Sequence, residues 1–245
     1  MDLQILGSSS AGNCYLLTNG SETLVLEAGV PLMEVKKAVD FNIRKIVGCC
    51  ISHEHLDHAK YAIEYMKAGI PVFCSQGTKN RIDNCLYQPT EIFHGKQIKI
   101  GNFEIKPFDI IHDAENPFGF LIKHPDCGKG LFLTDTHYSE YSFSGLHFIM
   151  VECNYSDRCL SDAILEGRTP AFLRQRIESS HMSLATCKEL LSANDLSKVR
   201  NIVLIHLSAQ NSDPAGFQRE VEKMTGINTC VASKGMTVNL SPFLF

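Results

Sequence analysis

The chain has 245 residues, of which 44% are hydrophobic and 20% charged, with a formal net charge of -4. That length can bury one large α/β core or two small ones, and the balance is ordinary for a globular protein. The charge excludes a broad basic face for nucleic acid or an anionic membrane, leaving room for a local basic groove, and no stretch approaches the roughly 20 apolar residues of a membrane span.

Residues 1–12 contain no basic segment leading into a long apolar run, so no export signal is expected. The 10 cysteines are scattered, Cys49 and Cys50 are adjacent, and no Cys-x-x-Cys occurs. Free thiols acting as small core residues in a reducing cytoplasm are expected.

Short apolar runs predict strands at Leu3–Leu6, Cys14–Leu17 and Leu24–Glu27, with a small-residue loop, Gly7 to Asn13, between the first two. Pro31 opens a helix whose apolar side is Val35, Val39 and Phe41. A buried strand follows (Ile46, Val47, Ile51), then a helix carrying Tyr61, Ala62, Tyr65 and Met66, a short strand at Val72–Phe73 and a helix from Thr78 to Cys85. The middle is β-rich: Ile98, Ile100, Phe103, Ile105 and Phe108 alternate around a Gly101-Asn102 turn, and Phe118–Ile122 pairs with Gly130–Leu133 through a turn at 125–128. The last third predicts helices at Leu160–Ile177, Leu184–Leu191 and Pro214–Met224, a strand at Ile202–Ile205 and a final strand pair. No linker divides the chain, so residues 1–245 are expected to form a single domain. Two β-rich stretches, each followed by helices, suggest an α/β fold: a four-layer αββα sandwich of two facing mixed sheets.

The most informative feature is the run His53-Glu54-His55-Leu56-Asp57-His58, which follows the apolar strand and precedes a helix. Three imidazoles and a carboxylate within six residues, with no Lys or Arg to neutralise Asp57, are the ligand types that borderline divalent metals take. One such run cannot fill two coordination shells. Further His and Asp residues stand at strand ends: His112-Asp113 after Ile110 and Ile111, Asp135 after Leu133, and His206 after Ile205.

This order resembles the metallo-β-lactamase superfamily along essentially the whole chain. The resemblance implies that His53, His55 and His112 hold one metal, that Asp57, His58 and His206 hold a second, and that Asp135 bridges them. Zinc or manganese is expected before iron or magnesium. A narrower resemblance rests on Gly7 to Asn13, His112-Asp113-Ala114, Thr134-Asp135-Thr136, Glu152-Cys153-Asn154, Pro170 to Ile177, His181-Met182-Ser183 and His206-Leu207-Ser208. It is to the YycJ/WalJ group, and it implies 5′-to-3′ exonuclease activity on DNA. Glu27 stands where the superfamily usually has an Asp that orients a ligand histidine, and a longer carboxylate can fill that role. His137 has no counterpart in the pattern, and its role is open.

Two divalent cations bring about +4, Asp57 and Asp135 remove two charges and a bridging hydroxide one, leaving roughly +1 to attract an anion such as a phosphodiester. The catalytic candidates are Asp57 and His181, the latter as general acid or phosphate clamp, or else as a loop residue before the helix at Ser183. Ser9, Ser10, Asn13, Asn154, Arg174 and Arg176 are candidate substrate contacts. Each could equally shape a turn or lie in a solvated ion pair. The expected function is a dinuclear metal-dependent phosphodiesterase working through the metal-bridging hydroxide, with DNA as substrate and no membrane or inferable protein partner. The alternative is a small-molecule phosphodiesterase or thioester hydrolase on the same fold.

Overall fold

The computed structural model describes residues 1–82 and 86–242. The first half builds a sheet from β1 (Asp2–Gly7), β2 (Cys14–Thr18), β3 (Thr23–Leu26), β4 (Ile46–Cys50), β5 (Val72–Cys74) and β6 (Thr90–Glu91). The second half builds another from β7 (Ile98–Ile100), β8 (Phe103–Asp109), β9 (Phe118–His124), β10 (Gly128–Leu133), β11 (Phe148–Glu152), β12 (Asn201–Ile205) and β13 (Asn228–Val231). A last strand, β14 (Thr237–Asn239), returns to pair antiparallel with β1, completing the first sheet in the order β14-β1-β2-β3-β4-β5-β6. Both sheets are mixed: β1–β3 and β7–β10 pair antiparallel, while β3–β6 and β10–β13 pair parallel.

The helices are α1 (Leu32–Ala38), α2 (Leu56–Ala59), α3 (Ala62–Lys67), α4 (Gln76–Ile82), α5 (Asp157–Leu165), α6 (Arg174–Ser180), α7 (Leu184–Ala193) and α8 (Pro214–Thr225). Three apolar clusters give the layers. Alternation in β1 turns Leu3 and Ile5 inward, where they and Tyr15, Leu24 and Leu26 meet Phe103, Phe120, Phe132 and Phe148 of the second sheet. The other face of the first sheet, through Leu16, Val25 and Cys49, packs on Val35, Tyr65 and Met66. The other face of the second, through Leu131, Ile149 and Leu204, packs on Leu190, Leu191, Phe217 and Val221. This is the expected αββα sandwich, and the nine described cysteines are free. Among the described residues, no helix is long and apolar enough to cross a membrane.

Several elements differ from expectation. Leu160–Ile177 is not one helix: α5 ends at Leu165, Gly167 (φ 72°) turns the chain so that Arg168 N–H donates to Ala163 O, and Pro170 then starts a separate 3-10 turn before α6. α1 stops at Ala38, and Phe41 lies beyond it, 64% exposed. β8 ends at Asp109, so His112 is carried by an irregular segment and not by a strand through Ile110 and Ile111. The α4 region is described only to Ile82, so the expected end at Cys85 lies outside the described residues. β11, central and buried throughout, is an addition to the predicted elements.

This topology places the carboxyl ends of β3, β4, β8, β10, β11 and β12 on one rim of the sandwich, where an α/β sheet keeps its ligand crevice. Three residues that leave those ends have left-handed backbone: Glu27 (φ 68°), Asp135 (φ 46°) and His206 (φ 55°). Non-glycine residues seldom take this region, and the surrounding structure must hold them there.

Candidate metal centre

The loop after β4 delivers the first ligands. His53 is fully buried, and its Nδ1 lies 2.8 Å from Ser52 Oγ. His55 caps the single turn of α2, which projects Asp57 and His58 toward the same point. The loop is held by backbone from two others: Asn13 N–H donates to Asp57 O (2.8 Å), and Ala28 N–H donates to His58 O (2.7 Å). Gly29 makes this approach possible, since a Cβ there would overlap the Asp57 carbonyl.

Two ligand sets result, with Asp135 common to both. His53, His55, His112 and Asp135 present ligand atoms within 4.8 Å of one another, and so do Asp57, His58, Asp135 and His206. In the first set His55 Nδ1 is 3.1 Å from both His53 Nε2 and His112 Nε2. His112 Nδ1 faces the Ser180 carbonyl at 3.0 Å, which can only accept, so Nδ1 carries the proton and the Nε2 lone pair faces the centre. In the second set His58 Nε2 is 3.2 Å from Asp57 Oδ2 and 3.3 Å from Asp135 Oδ2. His206 Nδ1 is 2.9 Å from Asp135 Oδ1, and its Nε2 is 3.3 Å from Asp57 Oδ2.

Glu27, Asp135 and Glu152 are buried around these histidines, and no Lys or Arg among the described residues pairs with them or with Asp57. Burial lowers the pKa of His53 and His112, keeping those rings neutral and ready to coordinate. Burial also acts on His58 and His206, but Asp135 beside both, Glu27 beside His58 and Asp57 beside His206 outweigh it and raise them. Burial opposes ionisation of Asp57 and Asp135, and the same two imidazoles overcome it, holding both carboxyls well below the usual range. Convergent imidazole nitrogens around a shared, ionised carboxylate fit a divalent metal site.

Glu152 is a candidate functional residue that sequence reasoning left without a role. Fully buried at the end of β11, it accepts from Thr136 N (3.0 Å) and Met182 N (3.2 Å) and faces His181 Nδ1 at 2.7 Å and His206 Nδ1 at 3.1 Å. The same pattern that found the others, an ionisable residue at the end of an apolar strand, would have found it. Glu152 and His181 also cluster with Asp135 and His206, and their 2.7 Å contact has the length of a charge-assisted hydrogen bond. Burial pushes His181 down, and the Glu152 charge reverses this and raises it. Glu27 accepts from Ser52 N (3.2 Å) and stands 3.4 Å from His58 Nδ1, which makes no hydrogen bond. Burial raises its carboxyl.

A cleft of about 350 Å³ opens above the centre, lined by Ser10, Asn154, Arg176 and His181 together with His55, Asp57, His112, Asp135 and His206. Asn154 Nδ2 donates to His206 O (2.9 Å), and Arg176 reaches Asp113 (3.4 Å) at the mouth. Three other candidates are placed differently. Asn13 is buried beneath the centre, donating toward Asp57 Oδ2 (3.2 Å) with its Nδ2 3.1 Å from His58 Nε2, so it braces the ligands and does not face substrate. Ser9 lines a separate cavity beside Lys234. Arg174 is occupied by Ser161 Oγ (2.7 Å) and Glu178 (3.1 Å), outside the cleft. His137 belongs to none of the ligand groups.

A family model described as a beta-lactamase superfamily domain matches residues 24–207. The exodeoxyribonuclease YycJ of Bacillus anthracis is 26% identical over 253 residues, covering 97% of this chain and 92% of its own length. The exodeoxyribonuclease WalJ of Streptococcus pneumoniae serotype 2 is 27% identical over 241 residues, covering 91% and 86%. The crystal structure of YhfI from Bacillus subtilis, a metallo-β-lactamase fold protein, superposes with a TM-score of 0.75 over 97% of this chain and 98% of that one, at 14% identity.

Proposed function

The chain belongs to the beta-lactamase superfamily domain family, as a hydrolase of the metallo-β-lactamase fold, and on that premise we propose that it is a dinuclear metal-dependent phosphodiesterase that degrades DNA from the 5′ end. The observation that carries this reading is Asp135, which stands between the two ligand sets: Oδ2 lies 3.7 Å from His112 and 3.8 Å from His53 of the first set and 3.3 Å from His58 of the second, and Oδ1 lies 2.9 Å from His206 of the second. When bound, two divalent cations would supply Lewis acidity and bring water within reach of deprotonation near neutral pH. The sets would be His53, His55 and His112 for one ion and Asp57, His58 and His206 for the other, with Asp135 shared.

The chain's own residues supply the rest. His181 lines the cleft with its side chain 23% exposed, and Glu152 holds its Nδ1. The Nε2 atom is therefore the one left to act, and a raised pKa keeps a proton there for the departing alkoxide. Arg176 and Ser10 at the wall are placed to bind phosphate oxygens. The exodeoxyribonuclease names of the relatives support DNA, and the 5′-to-3′ direction rests on resemblance alone.

The test is to incubate pure protein with 5′- and 3′-labelled DNA, single- and double-stranded, plus Mn²⁺, Mg²⁺ or Zn²⁺. Mononucleotide release from the 5′ end is expected. Thioester turnover with DNA untouched under all three metals would overturn the reading. His181→Ala should keep its metal while losing about 10²–10⁴-fold in turnover of DNA, and less with a p-nitrophenolate leaving group.

A further inference from the structure

The two segments that carry His112 and Asp135 run on together onto the outer surface. The Thr136 hydroxyl ties them: it accepts from Ile111 N (3.2 Å) and lies 3.0 Å from Ile111 O and 2.6 Å from Tyr138 O. Immediately beyond this tie is a shallow groove of about 130 Å³ lined by Ile111, Tyr138, Tyr141 and the chain between the tyrosines, with Asp109 at its edge. Ile111 is 45% exposed, Tyr138 48% and Tyr141 39%. These are large apolar surfaces left to solvent one residue from His112 and three from Asp135.

We propose that Tyr138 and Tyr141, with Ile111, form a stacking platform for unpaired nucleobases of a strand whose phosphodiester lies in the catalytic cleft. The proposal rests on the phosphodiesterase reading and narrows its substrate to a polynucleotide, since one small phosphodiester does not span cleft and groove. The occupant follows from the chemistry of the lining. No Lys or Arg lines the groove, Asp109 is taken by His94 (3.0 Å), and Glu140 is acidic, so the groove does not draw phosphates. It offers aromatic faces, on which any base stacks irrespective of sequence. Tyr141 is set for this role, its ring held edge-on to Phe108 (5.5 Å) and alongside Phe143 (6.2 Å). Among the described residues the Tyr138 side chain makes no hydrogen bond or ring contact.

The chain contains no tryptophan, so Tyr138→Trp introduces a single indole as reporter. Titrating that protein with single-stranded oligo(dT) should quench its fluorescence saturably. Tyr138→Ala and Tyr141→Ala should each lower the ratio of kcat/KM for oligonucleotide to that for bis-p-nitrophenyl phosphate by about 10-fold, and the Phe variants should restore it. Tyr138→Ala removes no core packing, so it answers the question even if Tyr141→Ala is unstable. Absence of quenching, with an unmoved ratio in a protein that still cuts DNA, overturns the platform and leaves the phosphodiesterase reading standing. Failure of the parent protein to cut DNA under any metal removes both.

Discussion

Histidine–carboxylate clusters stand at both ends of the sandwich, and they are built on opposite principles. Far from the centre, Glu22 accepts from Asn102 N (2.9 Å), Asn102 Nδ2 (2.7 Å) and His124 Nε2 (3.0 Å), while His124 Nδ1 accepts from Asp126 N (3.1 Å). Each donor there meets an acceptor, so the cluster closes on itself and clips the β2–β3 turn to the second sheet. At the other rim, nitrogens of His53, His55 and His112 face one another, His55 Nδ1 lying 3.1 Å from the Nε2 atoms of both neighbours. A structural pair saturates its hydrogen bonds; a metal site leaves lone pairs converging on one volume.

That contrast can be broken in steps. Asp135→Ala removes the residue both ligand sets share, and it should reduce turnover by more than about 10³-fold with loss of both metals, read by elemental analysis and kinetics together. Glu152→Gln keeps the shape but loses the charge behind His181 and His206. It should cost roughly 10–100-fold in metal affinity or activity, and retention of both would remove Glu152 from the machinery. Glu22→Gln should act only on the fold, lowering stability by about 1.5–3 kcal/mol in urea titration while kcat stays at the parent value. The smallest effect is its pH dependence. Burial would raise Glu22, but the His124 and Asn102 hydrogen bonds hold it below its usual value. Its contribution is therefore complete above the unfolded pKa of about 4.3 and fades as pH falls through the folded value. The gap in Tm between parent and Glu22→Gln should narrow in acid, and a gap that widens would reverse the sign assigned here.

The candidate ligands were legible because each is an ionisable side chain interrupting or ending an apolar run, a pattern that folding alone does not favour. The layers were legible from the order of β-rich and helical stretches. β11 was not, because Phe148–Val151 is apolar without alternation, and a run buried on both faces has no period to read. Glu152 went unassigned with it. The break between α5 and α6 was written in Gly167 and Pro170 but masked by helix-spaced apolar residues on either side. Which way Arg174 and Asn13 face depends on Ser161 and Asp57, partners remote enough in sequence that only the fold brings them into contact.

The shared carboxylate has a consequence for heat resistance. Asp135 and His206 leave strands of one sheet, and His53 and His58 follow a strand of the other. An ion held between them is a clasp across the sandwich, closing a loop of chain that spans most of the protein. Ligands that bind only the folded state stabilise it by mass action, by about 2.7 kcal/mol at a hundredfold excess over Kd. The melting temperature should climb with added divalent metal and drop in chelator, making metal supply a control on how long the protein survives as well as on whether it works.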